Sequence, residues 1–151
     1  MASASTGSDF SLQIKRIFNA PREKVFEAWT DPEKLGHWFC NSRPEYSGRV
    51  TELELRPGGR YRLEVHDKSG KLQVLRGEYK EIDAPEKLSF TWFWETQPEY
   101  GETLIVLAFN DIDGKTELVL TQGSFPTVTG RDAHNRGWVV CFDSLERLLE
   151  A

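Results

Sequence analysis

The apolar residues between Arg131 and Leu149 are the strongest constraint on what this chain can become. Trp138, Cys141, Phe142, Leu145, Leu148 and Leu149 follow one another at spacings of three and four, which stacks them on one face of an α-helix. Arg136, Asp143, Glu146, Arg147 and Glu150 take the other face. Thr129 suits the N-cap, and Asp132 suits the positive end of the helix dipole. Gly137 sits mid-helix, where glycine costs about 1 kcal/mol against alanine. It predicts a gap beside Trp138 or another element packed close. A helix with so large an apolar face must lie on a broad surface.

The rest of the chain supplies that surface as short alternating strands. Phe10, Leu12 and Ile14 alternate with Ser11, Gln13 and Lys15 in a strand running to about Phe18. Pro21 then opens a short helix with Val25, Phe26 and Trp29 on its apolar face. Asp31-Pro32-Glu33 reads as cap, first residue and first turn of a second short helix, with Leu35, Trp38 and Phe39 as its buried candidates. Cys40 to Gly48 is polar and reads as a loop. Strands are expected over 49–55, 60–66, 72–82, 88–95, 103–109 and 116–121. Turns at Arg56-Pro57-Gly58-Gly59, Asp67-Lys68-Ser69-Gly70, Ala84-Pro85-Glu86 and Asp111-Ile112-Asp113-Gly114 separate them. Gly77 inside the longest strand marks a bulge or a close approach. Hairpin-linked strands make an antiparallel sheet with helices covering one face. The expectation is an α+β domain over residues 9–151, a curved sheet of about seven strands around the long C-terminal helix. Residues 1–8, MASASTGS, are small and polar, and are expected to be a disordered tail without a secretory signal.

Charge and composition narrow the function. A net charge of −5 argues against nucleic acid, whose phosphates need a basic stripe. No apolar run approaches the ~20 residues that span a bilayer. Two cysteines, Cys40 and Cys141, read as free thiols of a cytoplasmic protein rather than a disulfide framework. His37, His66 and His134 are too far apart in sequence for a metal-binding motif. No Gly-x-Ser-x-Gly elbow, dinucleotide fingerprint or P-loop occurs. Neither a metal, another cofactor nor a catalytic residue is assigned.

Four stretches resemble one family. They are Ala20-Pro21-Arg22-Glu23 with Ala28-Trp29-Thr30-Asp31-Pro32-Glu33; Leu55-Arg56-Pro57-Gly58-Gly59-Arg60-Tyr61; Pro85-Glu86-Lys87-Leu88-Ser89-Phe90-Thr91-Trp92; and Gly137-Trp138 followed by Leu145 and Leu148. Together they are similar to the homologues of the activator of the heat-shock-protein-90 ATPase, within the START-like, birch-pollen-allergen-like superfamily. The resemblance runs from about Phe10 to Leu149 and implies the helix-grip fold with a ligand cavity. Family members often carry two tryptophans after the second short helix. Here the run is His37-Trp38-Phe39-Cys40.

On that fold, a cavity between helix and sheet would be lined by Trp38, Tyr61, Leu63, Tyr79, Trp92, Trp94, Leu107, His134, Trp138 and Phe142. The leading expectation is a module binding a small apolar or aromatic molecule, as monomer or homodimer. The resemblance also implies two alternatives: a cyclase- or hydrolase-like enzyme using the same cavity, and a chaperone-associated stress-response protein. The last ranks lowest, since 151 residues leave no room for the separate N-terminal domain with which eukaryotic activators contact the chaperone. Within the long helix, Leu145 to Leu149 is dense aliphatic packing, whereas His134, Gly137 and Trp138 mix a polar ring, a gap and an indole. The cavity is therefore expected under the N-terminal half, with Trp138 in its wall and Leu148 or Leu149 outside.

Overall fold

Alternation decides the strands. In β3 (Arg60–His66) Tyr61, Leu63 and Val65 are buried while Arg60 and His66 face solvent, as the sequence pattern predicts. A computed structural model describes residues 10–151; the polar N-terminal tail lies outside the described residues. The remaining strands are β1 (Phe10–Phe18), β2 (Ser47–Leu53), β4 (Leu72–Asp83), β5 (Lys87–Trp94), β6 (Thr103–Ile112) and β7 (Lys115–Phe125). All seven form one antiparallel sheet in the order β1-β7-β6-β5-β4-β3-β2. The first strand thus pairs with the last, with Ile14 opposite Leu120.

Between β1 and β2 the chain makes α1 (Arg22–Thr30), α2 (Pro32–Leu35) and a π-helical turn over Gly36–Cys40. Pro21 is the N-cap of α1 and Asp31 that of α2, with Pro32 at its first position. Asp31 caps by backbone conformation only, since its side chain makes no cap hydrogen bond. The C-terminal helix, α3, spans Val128–Glu150. It starts earlier than the apolar pattern suggests, and its cap is Thr127 rather than Thr129. The Thr127 hydroxyl accepts from the Gly130 N–H at 3.0 Å, the N3 bond of a standard cap. Asp132 consequently falls beyond the first turn and pairs with Arg131 at 3.1 Å. At the other end the Lys24 ammonium donates to the Leu149 carbonyl at 3.2 Å, satisfying one of the last-turn acceptors.

The core lies between the concave face of the sheet and the helices. Its aliphatic part gathers Leu88, Leu107 and Leu120, which face one another across β5, β6 and β7, with Leu145 and Leu149 of α3 in the same buried cluster. Its aromatic part gathers Trp29, Trp38, Phe39, Phe90, Trp92 and Trp138. Gly77 serves a close approach and not a bulge: a Cβ there would stand 2.6–2.7 Å from the Tyr61 ring and hydroxyl. The irregularity of β4 falls further on, between Tyr79 and Glu81. Among the described residues, no helix is long and apolar enough to cross a membrane.

Candidate functional site

A cleft of about 400 Å³ opens beneath the N-terminal half of α3. Three parts of the chain wall it. Helix α3 contributes Ala133, His134, Gly137, Trp138 and Cys141. The end of β5 contributes Trp92 and Trp94. The segment around the π-helical turn and the loop after it contributes Phe39, Ser42, Arg43 and Tyr46. Asp67 and Gln73 of the β3–β4 hairpin, with Gln97, Tyr100 and Arg136, add polar groups. Gly137 leaves room here, since a Cβ at that position would meet nothing within 4 Å. The gap beside Trp138 is the alternative that holds.

Two indoles of the wall are pinned by their N–H groups. Trp138 Nε1 donates to Gln122 Oε1 at 2.8 Å, and Gln122 Nε2 donates to Thr103 Oγ1 at 2.9 Å. Gln122 is wholly buried, so this chain satisfies polar groups that have no access to water. Trp94 Nε1 lies 3.1 Å from His134 Nε2, and His134 Nδ1 lies 2.9 Å from the Gly130 carbonyl. The carbonyl can only accept and the indole can only donate. His134 is therefore neutral with its proton on Nδ1. Burial pushes its pKa down, opposed by the bond to Gly130. Protonation of Nε2 would set two donors against each other. Tyr100 and Phe125 pack on the imidazole, each with ring centroids 4.9 Å away.

The two thiols are poor nucleophiles. Burial pushes both Cys40 and Cys141 up to about 12, leaving them as thiols at neutral pH. Both are free. Among the described residues, no group of three or more His, Cys, Asp or Glu is placed to hold a metal.

A second, smaller void of about 20 Å³ lies deeper in the aromatic core. Tyr61, Leu63, Tyr79 and Trp92 line it, with Trp29, Leu35, Phe39, Leu75 and Phe90. The ten residues expected around one cavity thus divide three ways. Trp92, Trp94, His134 and Trp138 line the cleft; Tyr61, Leu63, Tyr79 and again Trp92 line the void. Trp38, Leu107 and Phe142 line neither. Trp38 is spent on a tie between helices, its Nε1 donating to the Ala28 carbonyl of α1 at 2.7 Å. Phe142 is wedged edge-on against Phe18 at 5.7 Å, and Leu107 sits between Leu88 and Leu120 in the sheet. Sequence reasoning missed Gln122. The signal was its place in phase with the inward residues Thr116, Leu118 and Leu120 of β7. It read Phe39 as buried but not as a lining residue, and it missed the polar groups from the loops, for which periodicity gives no signal.

The family model described as Activator of Hsp90 ATPase homolog 1-like protein matches residues 19–150. The chain belongs to this family. Among curated proteins none matches. Among solved structures, protein CV1439 from Chromobacterium violaceum is 22% identical, with 93% of this chain and 97% of that one covered at a TM-score of 0.85. Protein Ms6760 from Mycobacterium smegmatis is 20% identical over 95% and 93% of the two chains, with a TM-score of 0.81. A protein from Rhizobium leguminosarum is 27% identical over 93% of each, with a TM-score of 0.74. These likenesses show the helix-grip fold, a curved seven-stranded sheet closed by a long C-terminal helix.

Proposed function

We propose that this member of the family is a binding module that holds a small apolar or aromatic molecule in the cleft under α3. The observation that carries the reading is the cleft itself. Its volume falls in the range of small-molecule sites, and its wall is mostly apolar, carried by Phe39, Trp92, Trp94 and Trp138, with polar groups that include Arg43, Asp67 and Arg136. His134 has both ring nitrogens engaged, so it presents no free lone pair to a substrate. That favours holding a molecule over abstracting a proton from it.

Thermal melts and tryptophan fluorescence with a panel of naphthalene- and indole-sized compounds test the reading. A ligand at 100 times its Kd stabilises by ~2.7 kcal/mol. For a chain of this size that raises the Tm by about 5–10 °C. Quenching of tryptophan emission should saturate at the same concentrations, because Trp92, Trp94 and Trp138 line the cleft. A panel that moves neither the melt nor the emission would refute the assignment.

A further inference from the structure

The five tryptophans of the chain divide by the fate of their N–H groups. Trp38, Trp94 and Trp138 donate to the Ala28 carbonyl, His134 and Gln122. Trp29 Nε1 and Trp92 Nε1 are buried and have no acceptor among the described residues. The two residues are only 3% and 5% exposed. A buried N–H without a partner costs on the order of 1–3 kcal/mol, and native structures leave few such groups unexplained. Both residues line the same inner void, and both stack on Trp138, at 5.9 and 5.1 Å between ring centroids. The two residues whose donors are unmet therefore border one small space.

That space adjoins the outer cleft. Trp92 and Phe39 line both compartments and meet edge-to-face at 5.6 Å and 88°, so this pair is the partition between them. Phe39 rides on the π-helical turn Gly36–Cys40, a departure from regular helix that recurs at functional sites. The inner void, about 20 Å³, is the size of a single oxygen-centred group. No charged side chain lines it. An ionised carboxylate there would lose its hydration with no counter-charge, at a cost far above what two neutral donors return. A neutral acceptor meets no such penalty.

We propose that the inner void is an acceptor subsite. The ligand's apolar body lies in the outer cleft, and a neutral carbonyl or ether oxygen reaches past Phe39 to the N–H groups of Trp29 and Trp92. The ligand class is then a neutral ketone, amide, ester or ether on an aromatic or aliphatic frame, as opposed to a hydrocarbon or an acid. This rests on the binding role proposed above and specifies which end of the ligand goes deepest.

The test compares 2-acetylnaphthalene with its near-isostere 2-isopropylnaphthalene, by titration of tryptophan fluorescence and by the infrared carbonyl band of the bound ketone. The ketone should bind the wild-type protein at least ~5-fold more tightly than the hydrocarbon, the scale of one or two buried hydrogen bonds. Its carbonyl band should move to lower frequency than in hexane. Trp29→Phe and Trp92→Phe keep an aromatic ring and remove the donor. Each should lower the ketone-to-hydrocarbon affinity ratio, and each should return part of the band shift, a readout that lost stability alone does not produce. Equal binding of both compounds, with the ratio unmoved in either variant, would place the ligand wholly in the outer cleft and overturn the subsite while leaving the binding role intact. So would a crystal structure of the ketone complex with a water bridging the two indoles. If neither compound binds at millimolar concentration, the binding role fails and the subsite with it.

Discussion

Gly137 permits the sharpest test of where the open space lies. It sits within α3, on the cleft wall, and a methyl group there would touch nothing within 4 Å beyond its own stretch of helix. Gly137→Ala therefore recovers helix propensity, ~1 kcal/mol, without a steric cost to set against it. For a chain of this length that corresponds to a Tm rise of about 2–4 °C. Gly137→Phe is also a better helix former than glycine, by a few tenths of a kcal/mol, yet its ring must enter the cleft. The two variants separate stability from occupancy. Thermal melts paired with titration of 2-acetylnaphthalene should show the alanine variant more stable with affinity within about twofold of wild type. The phenylalanine variant should fold with a Tm close to wild type and bind at least ~10-fold more weakly, since a pocket of this kind holds most of a small ligand's surface. A lower Tm for Gly137→Ala would mean the helix face is not open there. Unchanged binding in Gly137→Phe would remove the cleft from consideration as the site.

Three further perturbations test other parts of the argument. Leu149→Ala empties a buried position outside the cleft and should cost ~2–5 kcal/mol in urea unfolding while the affinity of the folded protein stays unchanged; a matching loss of affinity would contradict the division of α3. Gln122→Leu removes the acceptor of Trp138 Nε1 and the donor to Thr103, leaving buried groups unmet, and should destabilise by ~1–3 kcal/mol, whereas a neutral outcome would show that water reaches this network. Burial holds the His134 pKa below its ordinary value of 6.5, so the unfolded chain takes up the proton first. Stability is then complete above about pH 6.5 and falls as pH drops through the folded pKa. Urea midpoints at pH 7.5 and 5.5 should show this fall in wild type and a smaller one in His134→Gln; equal slopes in both would refute it.

How far the sequence disclosed this site depends on which force set each part. β3 was legible to the residue, because period-two alternation over Tyr61, Leu63 and Val65 has one solution against a buried face. The fold of α3 was legible from its apolar stripe, but its start was not. Thr127 and Thr129 are equal as caps by residue type; the Thr127 hydroxyl takes the bond from the Gly130 N–H, where a Cβ on residue 130 would stand only 3.2 Å from Thr127 and Tyr100, a tertiary fit that residue type does not show. Trp38 and Phe39 show a different limit. Both read as buried on a 3.6-residue period, yet the chain runs here as a π-helical turn. The changed pitch undoes any inference about which ring faces the sheet. Trp38 turns to α1 and Phe39 to the cleft. The polar rim was hidden for a third reason: Arg43, Asp67, Gln97 and Arg136 meet only through tertiary folding, and no local pattern distinguishes them from ordinary surface residues.

The distribution of hydrogen bonds among the indoles has a consequence for how the site would hold a ligand. On the cleft wall, Trp94 and Trp138 are anchored through His134 and Gln122, and these partners are themselves held, by the Gly130 carbonyl and Thr103. Side chains fixed in this way lose little rotamer freedom when a molecule lies against them, and that ordering cost is one of the main terms opposing association. The Trp29 and Trp92 rings are held by packing, with aromatic contacts to Trp38, Trp138 and Phe39, and their donors remain chemically uncommitted. A wall already ordered and two donors still unmet are complementary: the first lowers what binding must overcome, and the second adds a gain that the free protein cannot realise within itself. The same logic predicts the order of damage. Loosening the anchors, as in Gln122→Leu, should weaken the ketone and the hydrocarbon alike, whereas removing a free donor at Trp29 should weaken the ketone selectively. Parallel losses for both ligands in both variants would show that the indoles act only as packing.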